Sequence, residues 1–290
     1  MSNVKLEWEM PAMLGEGPLW CARENAVYFV DIMGNAVHRL DVSDGLKRSW
    51  QFDFPVTSLV MRERGGLACT IRDAFAFIDL DSGTVDPIVR PETDLANNRF
   101  NDGKVDPMGR YWAGTMDDDL TEASGTLYRL DPDLSLHAMD SGYIISNGPA
   151  FSPDGRTMYH NECKKGQVFA FDLAADGSIS NKRLFAKFDE QTEGLTDGHT
   201  VDGEGCLWQT SFGGHCVTRF SPDGEALETV ELPVPNITSC TFGGPDLDTL
   251  YITTARCDID DEDLVKYPLA GSLFSCRPGV RGLPTPMFKG

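Results

Sequence analysis

No apolar run in the sequence approaches the roughly 18 residues that a membrane-spanning helix needs, so no transmembrane segment is expected. Basic residues are scarce: 25 Lys and Arg stand against 45 Asp and Glu, a formal net charge of −20. So acidic a surface repels nucleic-acid phosphates and anionic lipid headgroups. It favours cations and neutral or cationic small molecules, and neither nucleic acid nor membrane is an expected partner. The opening Met1-Ser2-Asn3-Val4-Lys5-Leu6-Glu7 has no basic stretch leading into an apolar run. No secretory leader is therefore expected, and the cytoplasm is the expected compartment. None of the eight cysteines forms a Cys-x-x-Cys pair, and several sit inside apolar runs such as Gly66-Leu67-Ala68-Cys69-Thr70. Without a leader, they read as small buried hydrophobes rather than a disulfide framework. Gly-x-Ser-x-Gly is missing, which excludes the usual serine-hydrolase elbow. No phosphate loop or dinucleotide fingerprint is present either.

What the chain does have is a repeat. Its 290 residues are 41% hydrophobic, and 29 Gly and 17 Pro are scattered rather than clustered, as many turns require. A short acidic or amide residue followed by glycine recurs as Glu16-Gly17-Pro18, Asp102-Gly103-Lys104, Asn147-Gly148-Pro149 and Asp197-Gly198-His199. From Asp102 the intervals are 45 and 50 residues, and Glu16 precedes Asp102 by 86, two units of 43. The missing units fall near Val56-Thr57-Ser58-Leu59 and Ile237-Thr238-Ser239-Cys240. Each unit continues into a run rich in aromatic and β-branched residues, such as Ala26-Val27-Tyr28-Phe29-Val30, Arg110-Tyr111-Trp112-Ala113 or Cys206-Leu207-Trp208-Gln209, often behind a Pro/Gly turn. A third run, such as Thr126-Leu127-Tyr128-Arg129-Leu130 or Gln167-Val168-Phe169-Ala170-Phe171, follows; the fourth is the weakest signal.

Six units of three or four short antiparallel strands, with almost no helical periodicity, predict an all-β fold: a six-bladed β-propeller with four-stranded blades, spanning 1–290 as one domain. A two-sheet sandwich is the rival, but it does not produce the period. Closure is expected from Val4-Lys5-Leu6-Glu7-Trp8-Glu9, added as a strand to the last blade beside Gly271-Ser272-Leu273-Phe274-Ser275-Cys276.

The innermost strand of each blade lines the channel of such a fold. Glu16, Asp102, Asn147 and Asp197 then converge at one mouth. Facing carboxylates repel and resist desolvation, and a bound cation relieves both. The donors are all oxygen, which suits Ca²⁺, Mg²⁺ or Mn²⁺ and tolerates Zn²⁺ and Fe²⁺. Asp-Gly and Asn-Gly are also ordinary turn dipeptides, which is the alternative reading of each one taken singly.

At these residues the chain resembles the SMP-30/gluconolactonase family, the regucalcin-like sugar lactonases. The similarity runs along nearly the whole chain. It is strongest at Leu14-Gly15-Glu16-Gly17-Pro18-Leu19-Trp20, Arg99-Phe100-Asn101-Asp102-Gly103-Lys104-Val105-Asp106, Tyr111-Trp112-Ala113-Gly114-Thr115-Met116, Ser146-Asn147-Gly148 and Thr241-Phe242-Gly243-Gly244. The resemblance implies a propeller with one divalent metal that opens a sugar lactone to its acid. Glu16, Asn147 and Asp197 match the family's metal ligands, and Arg99 and Asn101 its substrate-binding residues. Asp119 falls where members often carry a substrate-contacting Glu. The carboxylate matching Asp197 is also the family's proposed general base. Thr196 replaces a usual Pro, and His199 replaces a small or apolar residue; strand alternation would put His199 on the same side as Asp197. An organophosphate- or aryl-ester-hydrolysing propeller, or a non-enzymatic Ca²⁺-binding protein, are the alternatives. A monomer or weak homo-oligomer is expected.

Overall fold

The computed structural model describes residues 4–290. Their strands form six four-stranded antiparallel sheets, as the repeat predicts; five run in sequence order from the central axis outward, and the sixth takes its outermost strand from the N-terminal segment. The innermost strands are Gly15–Cys21, Val56–Met61, Asn98–Val105, Ser146–Phe151, Leu195–Val201 and Ile237–Gly243, in blades 1 to 6. Each packs beside the innermost strands of its two neighbours, closing a six-bladed propeller. The outermost strand of blade 6 is Lys5–Trp8, which pairs antiparallel with Leu273–Cys276: Lys5 faces Ser275 and Leu6 faces Phe274. Ser275 Oγ donates to Glu7 Oε1 at 2.6 Å, and the Trp8 indole meets Phe29 of blade 1 edge-on at 5.7 Å.

The period-2 pattern of the middle strands explains why flat blades can stack face to face. Along Ala26–Asp31, Ala26, Tyr28 and Val30 enter the core shared with blade 2, while Val27 and Phe29 enter the core shared with blade 6. Each of the six blade interfaces has its own apolar cluster in this way. The inner strands are buried almost throughout, whereas the outer ones, such as Lys47–Gln51, are largely exposed.

Side chains of one blade also donate to main-chain carbonyls of the next. Asn101 Nδ2 reaches Ser146 O at 2.9 Å, Asn161 Nδ2 reaches Asp197 O at 2.6 Å, Thr210 Oγ1 reaches Thr238 O at 2.8 Å and Thr238 Oγ1 reaches Gly15 O at 2.5 Å. These links join blades 3, 4, 5, 6 and 1 in succession.

The starts of the inner strands surround one mouth of the channel and their ends surround the other. Between the two, the Lys104 ammonium crosses from blade 3 to donate to His199 O of blade 5. Beyond it lies a cavity of about 450 Å³ lined by Leu19, Leu59, Val105, Phe151, Val201 and Phe242. The segment 283–287 runs across this far mouth. It is anchored before the crossing by Gly203 N–H to Arg281 O (2.7 Å) and Gly282 N–H to Leu247 O (2.8 Å), and after it by Phe288 N–H to Met61 O (2.8 Å). The Phe288 ring is fully buried there. Among the described residues, no helix is long and apolar enough to cross a membrane.

Candidate functional site at the channel mouth

All six innermost strands carry a register shift against their partners at the same height. The shifts fall between Glu16 and Leu19, Val56 and Ser58, Phe100 and Gly103, Asn147 and Ala150, Thr196 and His199, and Ile237 and Ser239. A bulge of this kind inserts a residue, bends the strand and re-aims its side chains. Sequence spacing treats Glu16, Asp102, Asn147 and Asp197 as equivalent, and the register separates them. Glu16 and Asn147 are the last paired residues before a bulge, while Asp197 and Asp102 lie inside one.

The consequence for the four side chains differs. Asn147 Nδ2 donates to Asp197 Oδ1, and the Glu16 carboxyl group lies next to that of Asp197. Glu16 Oε2 also accepts from Gly17 N–H at 2.9 Å. All three residues are buried, Asp197 the least so at 8% exposure. Asp102 instead turns its oxygens to main-chain amides, Oδ1 to Gly103 N–H at 2.7 Å and Oδ2 to Gly148 N–H at 3.1 Å.

Desolvation dominates the electrostatics. Burial, with the Asp102 charge adding to it, pushes the Glu16 carboxyl up to about 8. Burial first, then the charges of Glu16 and Asp102, hold Asp197 well above the ordinary carboxylate range. Asp102 is also raised by burial, against the pull of the Lys104 ammonium. Two carboxyl groups in contact and away from water favour a shared proton or a cation between them. Among the described residues, no three His, Cys, Asp or Glu side chains converge as a ready metal cage. The set that does converge is two carboxylates and an amide.

Arg99 stands beside this group with its side chain 12% exposed. Its Nε donates to Asp118 Oδ1 at 2.8 Å, and its Nη1 donates to Phe100 O at 3.0 Å and Asn101 Oδ1 at 2.9 Å. Asp118 is shared with Arg72 of blade 2, whose Nη1 lies 3.0 Å from Oδ2. Asn101 is thereby fixed from both ends, accepting from Arg99 and donating to Ser146 O. Asp119 is exposed and accepts from Asn97 Nδ2 at 3.1 Å; the carboxylate that holds Arg99 is its neighbour Asp118.

His199 does not share a side with Asp197. The bulge between Thr196 and His199 resets the alternation, and the imidazole is fully buried between blades, with Nε2 3.3 Å from Tyr159 O. It lies against Gly148, where φ is +89° and a Cβ would come within 2.6 Å of the ring, so only glycine leaves it room. Sequence reasoning passes over Asn161, Gln209 and Asp118. The first two belong to second strands with no motif. Asp118 is hidden in the run Asp117-Asp118-Asp119, where composition cannot tell one carboxylate from the next.

The profile of the SMP-30/Gluconolactonase/LRE-like region matches residues 14–256. The chain is 36% identical to the 6-deoxy-6-sulfogluconolactonase of Pseudomonas putida, across 99% of each chain. It is 39% identical to the regucalcin of Gallus gallus over the full length of both. The solved structure of a calcium-binding regucalcin from Agrobacterium tumefaciens superposes with a TM-score of 0.93 at 27% identity, covering 99% of this chain and 97% of that one. The contact of Glu16, Asn147 and Asp197 thus sits inside the matched region, and the chain belongs to the SMP-30/gluconolactonase/LRE-like family.

Proposed function

We propose that the chain is a lactonase that opens a small sugar lactone to its aldonic acid, using one divalent cation held by Glu16, Asn147 and Asp197. The observation that carries this reading is the buried contact of those three side chains beside Arg99. The donor set fits a cation: it offers oxygens only once the Asn147 amide turns its Oδ1 inward, and its two carboxyl groups are both held above their ordinary range by burial. Ca²⁺, Mg²⁺, Mn²⁺, Zn²⁺ and Fe²⁺ are all compatible with such a site. When bound, the cation supplies Lewis acidity toward the lactone carbonyl and lowers the pKa of water at the site.

The chain's own residues do the rest. Asp197 takes a proton from the attacking water, since it is the less buried of the two carboxylate residues. Arg99 keeps Nη2 without a protein partner among the described residues and offers it to a substrate oxygen, where its charge favours the developing oxyanion. Asn101 orients Arg99 and has a second amide N–H for a sugar hydroxyl. The Pseudomonas putida relative makes a lactone with an anionic sixth carbon one member of the substrate panel.

The test is a panel of aldonolactones, including the 6-sulfonated one, assayed after chelation and after return of single metals. Hydrolysis restored by at least one metal is expected. If no lactone turns over faster than in buffer with any metal, the enzymatic reading falls. The calcium-binding description of the Agrobacterium structure would then favour a non-catalytic Ca²⁺-binding role.

A further inference from the structure

We propose that Asn161 and Gln209 form a clamp that sets the spacing of Asn147 and Asp197 and so tunes the affinity of the cation site. The proposal rests on the reading of Glu16, Asn147 and Asp197 as ligands. Asn161 lies on the second strand of blade 4, directly opposite Asn147 in the ladder. Its Nδ2 leaves its own blade and donates to Asp197 O at 2.6 Å and to Gln209 Oε1 at 3.1 Å. Gln209, on the second strand of blade 5 opposite His199, donates Nε2 to the same Asp197 O at 2.8 Å and to Thr210 O at 3.0 Å.

The need for the clamp follows from the bulge. Asp197 has no ladder partner, so its carbonyl must find donors elsewhere or stay buried and unpaired. Two amides converge on it, and both are fully buried. The orientation of Asn161 is dictated by its surroundings: turned over, its Oδ1 would face two acceptors. As it stands, Oδ1 has no partner among the described residues. A buried unpaired acceptor carries a desolvation cost that an apolar residue of the same size would not. The pair satisfies the Asp197 carbonyl at the expense of one orphaned oxygen, and beyond that it delivers position. It ties the main chain of Asp197 to the strand that carries Asn147's partner, across the boundary between two blades. Both are positioning residues; neither points an atom at the substrate.

The test measures Mn²⁺ binding by calorimetry on the full chain, alongside thermal unfolding in excess chelator. Asn161→Leu and Gln209→Met remove the donors at nearly constant volume. Each is expected to weaken Mn²⁺ binding about 10–100-fold, the range seen when groups that orient metal ligands are removed. In excess chelator each single variant should lose a little Tm, because Asp197 O keeps one donor, and the double variant, which leaves that carbonyl unpaired, should lose more. Because both side chains serve one acceptor, the double variant should fall short of the product of the two losses. Val217→Ala, in the blade 5 core, serves as a packing control that lowers Tm and leaves Mn²⁺ binding alone. Should Asn161→Leu not fold, Asn161→Ser reads the same quantity. Variants that bind Mn²⁺ as tightly as the parent overturn the clamp alone, as does an affinity that falls only in step with Tm. A parent chain that binds neither Mn²⁺, Ca²⁺ nor Zn²⁺ overturns the ligand reading, and the clamp with it.

Discussion

Asp197 is asked to do two things, to hold a cation and to accept a proton, and substitution can separate them. Asp197→Asn keeps an oxygen donor of similar size but removes the base, so turnover should drop about 10²–10⁴-fold even at saturating metal. Asn147→Ala loses a ligand with no proton role, so its turnover should recover in part as metal is raised. Rescue curves measured side by side decide: equal rescue of both would make Asp197 only a ligand. Arg99→Ala should raise KM for the lactone while leaving the metal Kd near that of the parent, because a guanidinium beside the carboxyl groups cannot itself be a ligand; parallel loss of both would refute that division. At this scale the sequence was legible where donor and glycine recur together. Glu16, Asn147 and Asp197 do meet, and Asp102 takes up main-chain amides beside them. The position of His199 was not legible, because alternation holds only along an unbroken strand and the bulge breaks it. Asp118 and Asp119 were not separable either, since which of two adjacent carboxylates meets Arg99 depends on the turn after Asp117.

Strands differ in how much of themselves they write into the sequence. Inner and middle strands are packed on both faces and read as apolar runs, whereas an outermost strand such as Lys47-Arg48-Ser49-Trp50-Gln51 packs little and is nearly free in composition. That is why the fourth strand of each unit was the faintest. Two features of the turns were present but unread. Asp106 accepts from the Trp112 indole and Asp202 from the Trp208 indole, both at 2.9 Å, so an Asp six residues before a Trp ties the same hairpin in blades 3 and 5. The seam at Lys5–Trp8 was legible because a ring with an open edge needs a strand from somewhere. Deleting residues 1–9 should expose the edge Leu273–Cys276, lower Tm and increase light scattering on heating. Trp8→Ala should cost less than the about 3–5 kcal/mol of a fully buried tryptophan, measured by denaturant unfolding, because Trp8 is only partly buried. An unchanged Tm after deletion would show that the strand closes nothing.

The whole molecule carries a net charge of −20, and its sensitivity to acid is set by what it buries. Burial lowers His160 to about 3 and His38 to about 4. Both are neutral when folded, while in the unfolded chain they take up a proton near pH 6.5. Their contribution is complete above pH 6.5 and is lost as pH falls from there toward 4 and 3, by at most about 1.4 kcal/mol per pH unit for each group. His160 packs edge-on against Tyr143 and bonds Ser146 Oγ at 2.8 Å, with Lys182 the nearby charge. His160→Asn should flatten the loss of Tm between pH 6 and 4; an identical slope in the variant would exclude it as the cause.

The Lys104 ammonium crosses the channel between the Asp197 site and the cavity that segment 283–287 lines at the far end. Traffic to and from Asp197 is therefore expected to use the near mouth. Entry and exit then compete for the same passage and the same Arg99, and an open-chain acid still bearing the hydroxyls of its lactone should linger there. Added aldonic acid should accordingly inhibit competitively, raising the apparent KM with no change in kcat. A noncompetitive pattern would mean that the acid also binds the substrate-loaded enzyme, away from Arg99, and would overturn the shared site.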